Sequence, residues 1–302
     1  MPRVSVLMPA YNSEKYIATA IESILNQNFS DFEFIIINDG STDNTAKIVR
    51  QYARQDPRIK FIDNKKNRGL IAVLNMGLDL CTGEYIARMD SDDISRPQRF
   101  KLQVEYMDAH PECGVVSAWI QKFGPTIPRP EIDKYMPTVK LLDLVLYGSR
   151  VSHPAAMIRA SVLRDNNIYY DPAYPHAEDY ALWASIAQFA ELHNLQTVLL
   201  DYRWHDTNVS VVHRDIQHDS AHRIQRDLLS KYLSKSTDVQ KFIDMTHETN
   251  QHAWLFWILP IIRRKQYTLS KVKYYLFEKL PFIKIQDNGI YLFDRIKIGV
   301  IK

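Results

Sequence analysis

The chain has 302 residues, 46% hydrophobic and 24% charged, the usage of an ordinary globular protein, which excludes a disordered or collagen-like chain. The net charge is +3, and the two cysteines, Cys81 and Cys113, are too few for a disulfide framework and fit a reducing compartment. No run reaches the roughly 18 apolar residues of a membrane-spanning helix; the nearest, 253–262, is too short and contains Pro260.

In chain order, VSVLM at 4–8 reads as a first strand, and the polar residues just after Pro9 rule out a signal-type apolar core. Asn12 or Ser13 can cap a helix whose residues Ile17, Ala20, Ile21, Ile24 and Leu25 share one face. FEFIII at 32–37 shows no polar alternation beyond Glu33, the pattern of a parallel strand covered on both sides. Asn38-Asp39-Gly40 is a turn, after which Ser41 or Thr42 caps a helix reaching 53. Strand 59–62, helix 69–81 and strand 85–89 extend a βαβ series, which implies a parallel sheet with right-handed crossovers. Helix 97–109 and strand 114–123 follow. Prolines 125, 128, 130 and 137 make 125–137 a loop. Residues 155–158 and 196–202 read as strands, and 177–189 as a helix with Tyr180, Trp183, Ala184 and Ala187 on one face.

Beyond 212 the pattern reads as helices only, including one near 271–280 with Val272, Tyr275, Leu276 and Leu280 on one face. From 259 onward ten Lys/Arg meet three acids, a net +7 that leaves −4 for the rest of the chain. A basic amphipathic tail of this kind suits an anionic membrane surface; a helical subdomain with a solvated basic face is the plainer alternative. No nucleic-acid-binding motif accompanies the charge, so a nucleic-acid partner is not expected.

Parallel sheets collect ligands at the carboxyl ends of their strands. Three polar clusters fall there: 9–12, 38–41 and 90–93. Asp90, Asp92 and Asp93 crowd three carboxylates into four positions, where each repels the others and raises their pKa values. Ile94 and Ser95 stand where a calcium loop needs Asp or Asn and then Gly, so an EF-hand is excluded. A strand-end D-x-D fits Mg²⁺ or Mn²⁺ held by one or two carboxylates and by substrate phosphates; alone, it reads more readily as a solvated acidic turn.

Asn67-Arg68-Gly69, Asn75-x-Gly77 and Ala177-Glu178-Asp179-Tyr180 accompany these clusters in one order. On these motifs, over roughly residues 3–210, the chain resembles a family 2 glycosyltransferase of the GT-A fold. The resemblance implies an α/β fold with a mostly parallel, Rossmann-like sheet flanked by helices. Residues 1–212 would form the catalytic domain, and 213–302 a helical, basic C-terminal region for acceptor or membrane-surface contacts.

It further implies that Pro9, Tyr11, Asp39, Arg68, Asp90 and Ser91 bind the donor, with Tyr11 stacking on the base, Asp39 accepting from a uracil N–H and Asp90 holding the ribose. Asp92 would ligate Mn²⁺ or Mg²⁺, joined by His205 in the Asp201-Tyr202-Arg203-Trp204-His205 segment, with Asp93, Glu178 and Arg203 supporting. Asp179 would be the general base of an inverting reaction, and His153 would lie near the acceptor. The Gln-x-x-Arg-Trp motif and membrane helices of processive relatives are not found, which implies addition of one sugar at a time.

The implied donor is a UDP-hexose or UDP-N-acetylhexosamine, a dTDP-sugar offering a nearly identical base edge. The implied acceptor is a glycan or lipid-linked oligosaccharide of bacterial surface polysaccharide or lipopolysaccharide. The expected location is cytoplasmic, with peripheral contact at the inner face of the cell membrane left open. A non-catalytic nucleotide-sugar binder on the same fold is the alternative. A sugar nucleotidyltransferase would want a Gly-rich basic loop after the first strand, where Pro9-Ala10-Tyr11-Asn12 stands.

Overall fold

The computed structural model describes residues 1–206 and 208–233, and five strands between 262 and 300. The chain divides into two compact units, Met1–Leu228 and Leu229–Lys302. The first runs β1 (Val4–Ala10), α1 (Ile17–Leu25), β2 (Phe32–Asp39), α2 (Thr45–Gln55), β3 (Ile59–Asn64), α3 (Leu70–Leu80), β4 (Tyr85–Arg88) and β5 (Ile94–Ser95). It continues with α4 (Arg99–Ala109), β6 (Cys113–Phe123), β7 (Glu131–Asp133), β8 (Thr138–Val139), α5 (Leu141–Tyr147), β9 (Met157–Arg159) and α6 (Ala160–Asp165). Last come α7 (Glu178–Ile186), β10 (Glu191–Arg203), α8 (Val209–Val212) and α9 (Arg214–Leu233), the final turn of α9 crossing into the second unit.

The sheet has the order β3-β2-β1-β4-β9-β6-β10-β5, with β7 on β6 and β8 on β10. β1 pairs in parallel with β2 and β4, β2 with β3, and β6 with β10, while short β9 runs antiparallel between β4 and β6. All of β1 and β2 is buried, as strands covered on both faces require. Their side chains alternate between two cores. Leu7, Ile35 and Ile37 join Val73, Leu74 and Leu78 of α3 and Trp183 of α7. Val6, Met8, Phe34 and Ile36 join Ile17, Ile21 and Ile24 of α1 and Phe100, Val104 and Met107 of α4.

The Asn75-x-Gly77 motif is architectural. A Cβ on Gly77 would stand 2.2 Å from Leu7 Cδ1, so a larger residue there would push the buried Leu7 side chain out of its place between α3 and β1. The Asn75 amide binds the Tyr170 backbone in both directions, donating to its carbonyl at 2.8 Å and accepting from its N–H at 2.9 Å.

Two expected caps are not formed. α1 starts after Tyr16 and α2 after Asn44, neither with a side-chain cap. Asn12, Ser13, Ser41 and Thr45 instead tie the loops after β1 and β2 together. Asn12 N–H donates to Ser41 Oγ (2.9 Å), Thr42 N–H to Asn12 Oδ1 (2.9 Å) and Ser13 N–H to Thr45 Oγ1 (2.7 Å). Short polar side chains serve a neighbouring loop as readily as their own helix end.

α9 is helical, in keeping with the expected helical extension, and belongs to the first unit as far as Leu228 because Ile224 and Leu228 bury in its core. Further on, the described segments are strands, where the sequence read as helix near 271–280. β11 (Ile262–Thr268), β12 (Lys271–Leu276), β13 (Leu280–Gln286), β14 (Gly289–Leu292) and β15 (Ile296–Val300) form an antiparallel meander in that order. KVKYYL alternates at period two as well as it fits one helical face, and neighbouring strands let the period-two pattern win. The apolar run 253–261 lies outside the described residues. Among those described, no helix is long and apolar enough to cross a membrane.

Candidate active site

The sequence-predicted residues gather at the carboxyl ends of β1, β2, β4 and β10 and at the start of α7. Pro9 is buried in β1 opposite Ile37, and Tyr11, just past the strand, is 50% exposed with its ring available for stacking. Ser13 Oγ and Ser91 Oγ lie 2.7 Å apart, tying the loop after β1 to the one after β4. Asp39 is buried, and its carboxylate accepts from the N–H groups of Arg68 and Gly69 (both 2.9 Å) and from Asn64 Nδ2 (3.3 Å). It thereby holds the 64–69 loop, with the Arg68 N–H reaching both oxygens, at 2.9 and 3.1 Å. Gly40 makes this close approach possible. It has φ 68°, and a Cβ there would lie 2.6 Å from the backbone of Lys66 and Asn67. The Arg68 side chain is exposed.

After β4 the three carboxylates converge, one oxygen from each of Asp90, Asp92 and Asp93 lying within 4.8 Å of the others. Asp92 Oδ2 faces His205 Nε2 at 3.0 Å, and Arg203 Nε donates to the Asp92 carbonyl at 2.7 Å. Asp93 is 1% exposed; its Oδ1 accepts from Arg203 N–H at 2.8 Å, while its buried Oδ2 has no partner among the described residues. Burial first, then the neighbouring Asp90, pushes the Asp92 carboxyl up; burial and Asp92 push Asp93 well above the usual range. An all-oxygen cluster with an orphaned buried carboxylate oxygen is a fit for a hard divalent cation. Asp90, Asp92 and Asp93 are the carboxylates that could hold it, with His205 beside Asp92.

Arg88, at the end of β4, was not singled out by the sequence reading. It is 3% exposed and ion-paired with Asp90. Burial works against its charge, but Asp90, Tyr170 and Asp93 outweigh that and the guanidinium stays protonated. The one signal in the sequence was a charged residue inside the apolar run YIARM.

Glu178 and Asp179 open α7, where the helix N-terminus favours negative charge. Burial nonetheless raises both: Glu178, next to Asp179, to about 7, and Asp179 to about 6, with the Tyr180 N–H and Arg88 opposing. Asp179 is half-buried, and Arg88 and Asp90 both act on it, so the helix start and the acidic cluster share one electrostatic site. His153, expected on the acceptor side, packs between Tyr170 and Trp183. It is 9% exposed, with Nε2 2.8 Å from Tyr170 Oη and its ring edge-on to Trp183. Burial, then Arg88, keeps it neutral. A strand-flanking His-Pro carries no sign of which side it turns to.

Residues 5–166 match the model of glycosyl transferase family 2. The chain belongs to that family. It is 32% identical to an uncharacterized glycosyltransferase of Haemophilus influenzae over 98% of this chain and 95% of that one. It is 33% identical to the Escherichia coli UDP-Gal:alpha-D-GlcNAc-diphosphoundecaprenol beta-1,3-galactosyltransferase, over 67% of this chain and 74% of the relative. Among solved structures, TarS 1-349 of S. aureus in complex with UDP-GlcNAc superposes with a TM-score of 0.58 at 23% identity, over 86% of this chain and 79% of that one, a likeness of fold. This family 2 glycosyltransferase therefore has the GT-A architecture, with its polar strand ends on the side where such sheets bind ligands.

Proposed function

We propose that the protein is an inverting, metal-dependent glycosyltransferase that moves one hexose or N-acetylhexosamine from a UDP-sugar to a hydroxyl of a glycan acceptor. The observation that carries this reading is the convergence of Asp90, Asp92 and Asp93 within 4.8 Å beside a second carboxyl pair of raised pKa. The E. coli relative, named for UDP-Gal and a β-1,3 product, supports the donor class and inversion. TarS, crystallised with UDP-GlcNAc, supports the uridine nucleotide.

In this reading Tyr11 stacks on the base, and Asp39 accepts the uracil N3–H. Arg68 and Pro9 flank the nucleotide, Ser91 lines it, and Asp90 accepts from the ribose hydroxyls. Asp92 and His205 would hold Mn²⁺ or Mg²⁺, which when bound would supply positive charge to the departing diphosphate. Asp93 and Arg203 keep Asp92 in place, and Glu178 orients the helix start. The acceptor oxygen attacks the anomeric carbon and gives its proton to Asp179. The carbon–oxygen bond to the diphosphate breaks on the opposite face, its electron pair leaving with UDP. A base with pKa near 6 is ionised at neutral pH yet basic enough to take the proton.

The relative's diphosphoundecaprenol acceptor and the +7 charge of residues 259–302 support an acceptor held at an anionic membrane surface, within surface polysaccharide synthesis. Flotation of the full chain with vesicles containing anionic lipid, absent with neutral vesicles, tests that part.

The deciding experiment is UDP release from a panel of nucleotide sugars, with Mn²⁺ or Mg²⁺, for wild type, Asp92→Ala and Asp179→Ala. Metal-dependent release from one UDP-sugar, lost in Asp92→Ala, is expected. Binding without release for every donor and candidate acceptor would favour a binding protein, and no nucleotide-sugar binding would overturn the reading.

A further inference from the structure

Residues 173–177 lead into the carboxyl pair and form no helix or strand. α9 grips them residue by residue. Ala173 O accepts from Arg223 Nη2 at 2.8 Å. Tyr174 Oη donates to Asp227 at 2.6 Å, and its ring lies under the Arg223 guanidinium at 5.5 Å. Pro175 O accepts from fully buried Ser220 Oγ at 2.8 Å, and His176 O from Gln217 Nε2 at 2.9 Å. The His176 ring stacks on His213, 4.2 Å away and tilted by 7°. Ala177 shares a core with Ile224 and Leu228.

Positions 217, 220, 223, 224 and 227 of α9 recur at helical spacings and share one face, with His213 just before the helix. A helix satisfies its own backbone groups, so its inward face is ordinarily apolar. Here that face carries donors aimed at the carbonyls of another segment. The held segment includes His176 at φ 62°, a left-handed conformation that a non-glycine residue keeps only where its surroundings impose it. It directs the chain into α7, whose second residue is Asp179. The Asp179 carboxylate itself is bonded only to the N–H of Tyr180 (2.7 Å) among the described residues. Its place in the site is inherited from the backbone that α9 holds.

We propose that α9 is the positioning element of the transfer step, with Gln217, Ser220 and Arg223 fixing the carbonyls of 173–176 and so the reach of Asp179 toward the acceptor hydroxyl. This rests on the reading of Asp179 as the base. These are positioning residues, which act through the carbonyls they hold.

The test uses the full chain and the UDP-sugar and cation selected by the panel above. Gln217→Glu keeps the shape and removes the donor, Tyr174→Phe removes one hydroxyl, and Gln217→Glu/Ser220→Ala removes two carbonyl partners. Turnover is expressed per UDP-binding site counted by calorimetry, which removes any loss of folded protein from the comparison. The double variant should lose about 10–100-fold in kcat, the scale of a misplacement near 1 Å, with donor KM and UDP affinity within twofold of wild type and the single variants in between. If the double variant does not fold, the two isosteric single variants carry the comparison. Unchanged kcat per binding site, or a parallel fall in UDP affinity, overturns the proposal. Asp179→Asn runs alongside. If it turns over normally, the base reading fails and takes this inference with it; if it is inactive while the α9 variants run at full rate, this inference alone fails.

Discussion

His205 Nε2 stands 3.0 Å from Asp92 Oδ2, although the two residues are 113 positions apart. Neither side chain is loosely held. The imidazole stacks on Tyr16 with ring centres 5.6 Å apart, and the Arg203 guanidinium lies 4.4 Å from the centre of the same ring while bonding the Asp92 carbonyl. In the proposed function this imidazole nitrogen and carboxylate oxygen would be ligand atoms for Mn²⁺. His205→Ala should therefore raise the Mn²⁺ concentration for half-maximal UDP release by about 10–100-fold, the range for disturbing a metal site, with turnover largely restored at saturating metal. An unchanged Mn²⁺ requirement removes His205 from the ligand set.

The carboxyl pair on α7 predicts opposite pH dependences for activity and stability. Asp179 is raised to about 6 and Glu178 to about 7, first of all by burial. A base must be ionised, so kcat/KM should fall about tenfold per unit as pH drops below about 6 and level off above 7. Folding, by contrast, favours the neutral acids. Their stabilising contribution is complete below the unfolded carboxyl values and is lost as pH rises through 6 to 7. Glu33 has the reverse sign, lowered to about 2 by Lys60, Ser5 and Thr82 against burial, and titrates outside this window. The Tm of cation-free protein should fall between pH 5 and 7.5 while activity climbs, and Asp179→Asn should flatten part of that fall. Parallel pH profiles for Tm and kcat/KM would contradict this assignment.

The alternation of strand and helix was legible because VSVLM and FEFIII are apolar without interruption, a pattern for which a doubly covered strand has use and a half-exposed one does not. The polar clusters at 9–12, 38–41 and 90–93 could be read as one site because each follows such a strand. The burial of Arg88 could not be read, and of the groups that keep it charged, Asp90, Asp93 and Tyr170, the fold brings Tyr170 from 82 positions away. The grip of α9 was hidden for a related reason. Gln217, Ser220 and Arg223 resemble a solvated face until the 173–176 carbonyls are opposite them. At 271–276, KVKYYL satisfies both periods, and the choice belongs to neighbouring strands.

Gly40→Ala tests the donor floor. The residue has φ 68°, and the added Cβ would meet backbone atoms of Lys66 and Asn67 at 2.6 Å. Backbone cannot swing aside as a side-chain tip can, so the 64–69 loop held by Asp39 must move. The left-handed strain alone costs about 1–3 kcal/mol. Urea unfolding should show at least that loss, and UDP affinity should fall at the same time because the loop carries Arg68. A variant with wild-type stability and UDP affinity would mean that the loop after β3 tolerates displacement and does not shape the donor site.

Arg88 is the cation between the acidic cluster and the helix start. It lowers the pKa of Asp92, Asp93, Glu178 and Asp179 and is ion-paired to Asp90. Arg88→Met leaves those carboxylates to repel one another across a buried gap. Removing one member of a buried pair costs about 3–5 kcal/mol; Asp90 keeps some contact with water, its side chain being 31% exposed, which places this loss at the low end. Arg88→Met/Asp90→Asn should recover part of it, since the neutral amide no longer needs the charge, giving a non-additive double-mutant cycle. In any Arg88→Met protein that remains folded, the acid limb of kcat/KM should move to higher pH, because Asp179 loses the charge that favours its ionised form. Additive free energies in the cycle together with an unmoved acid limb would show that Arg88 acts on neither carboxyl group.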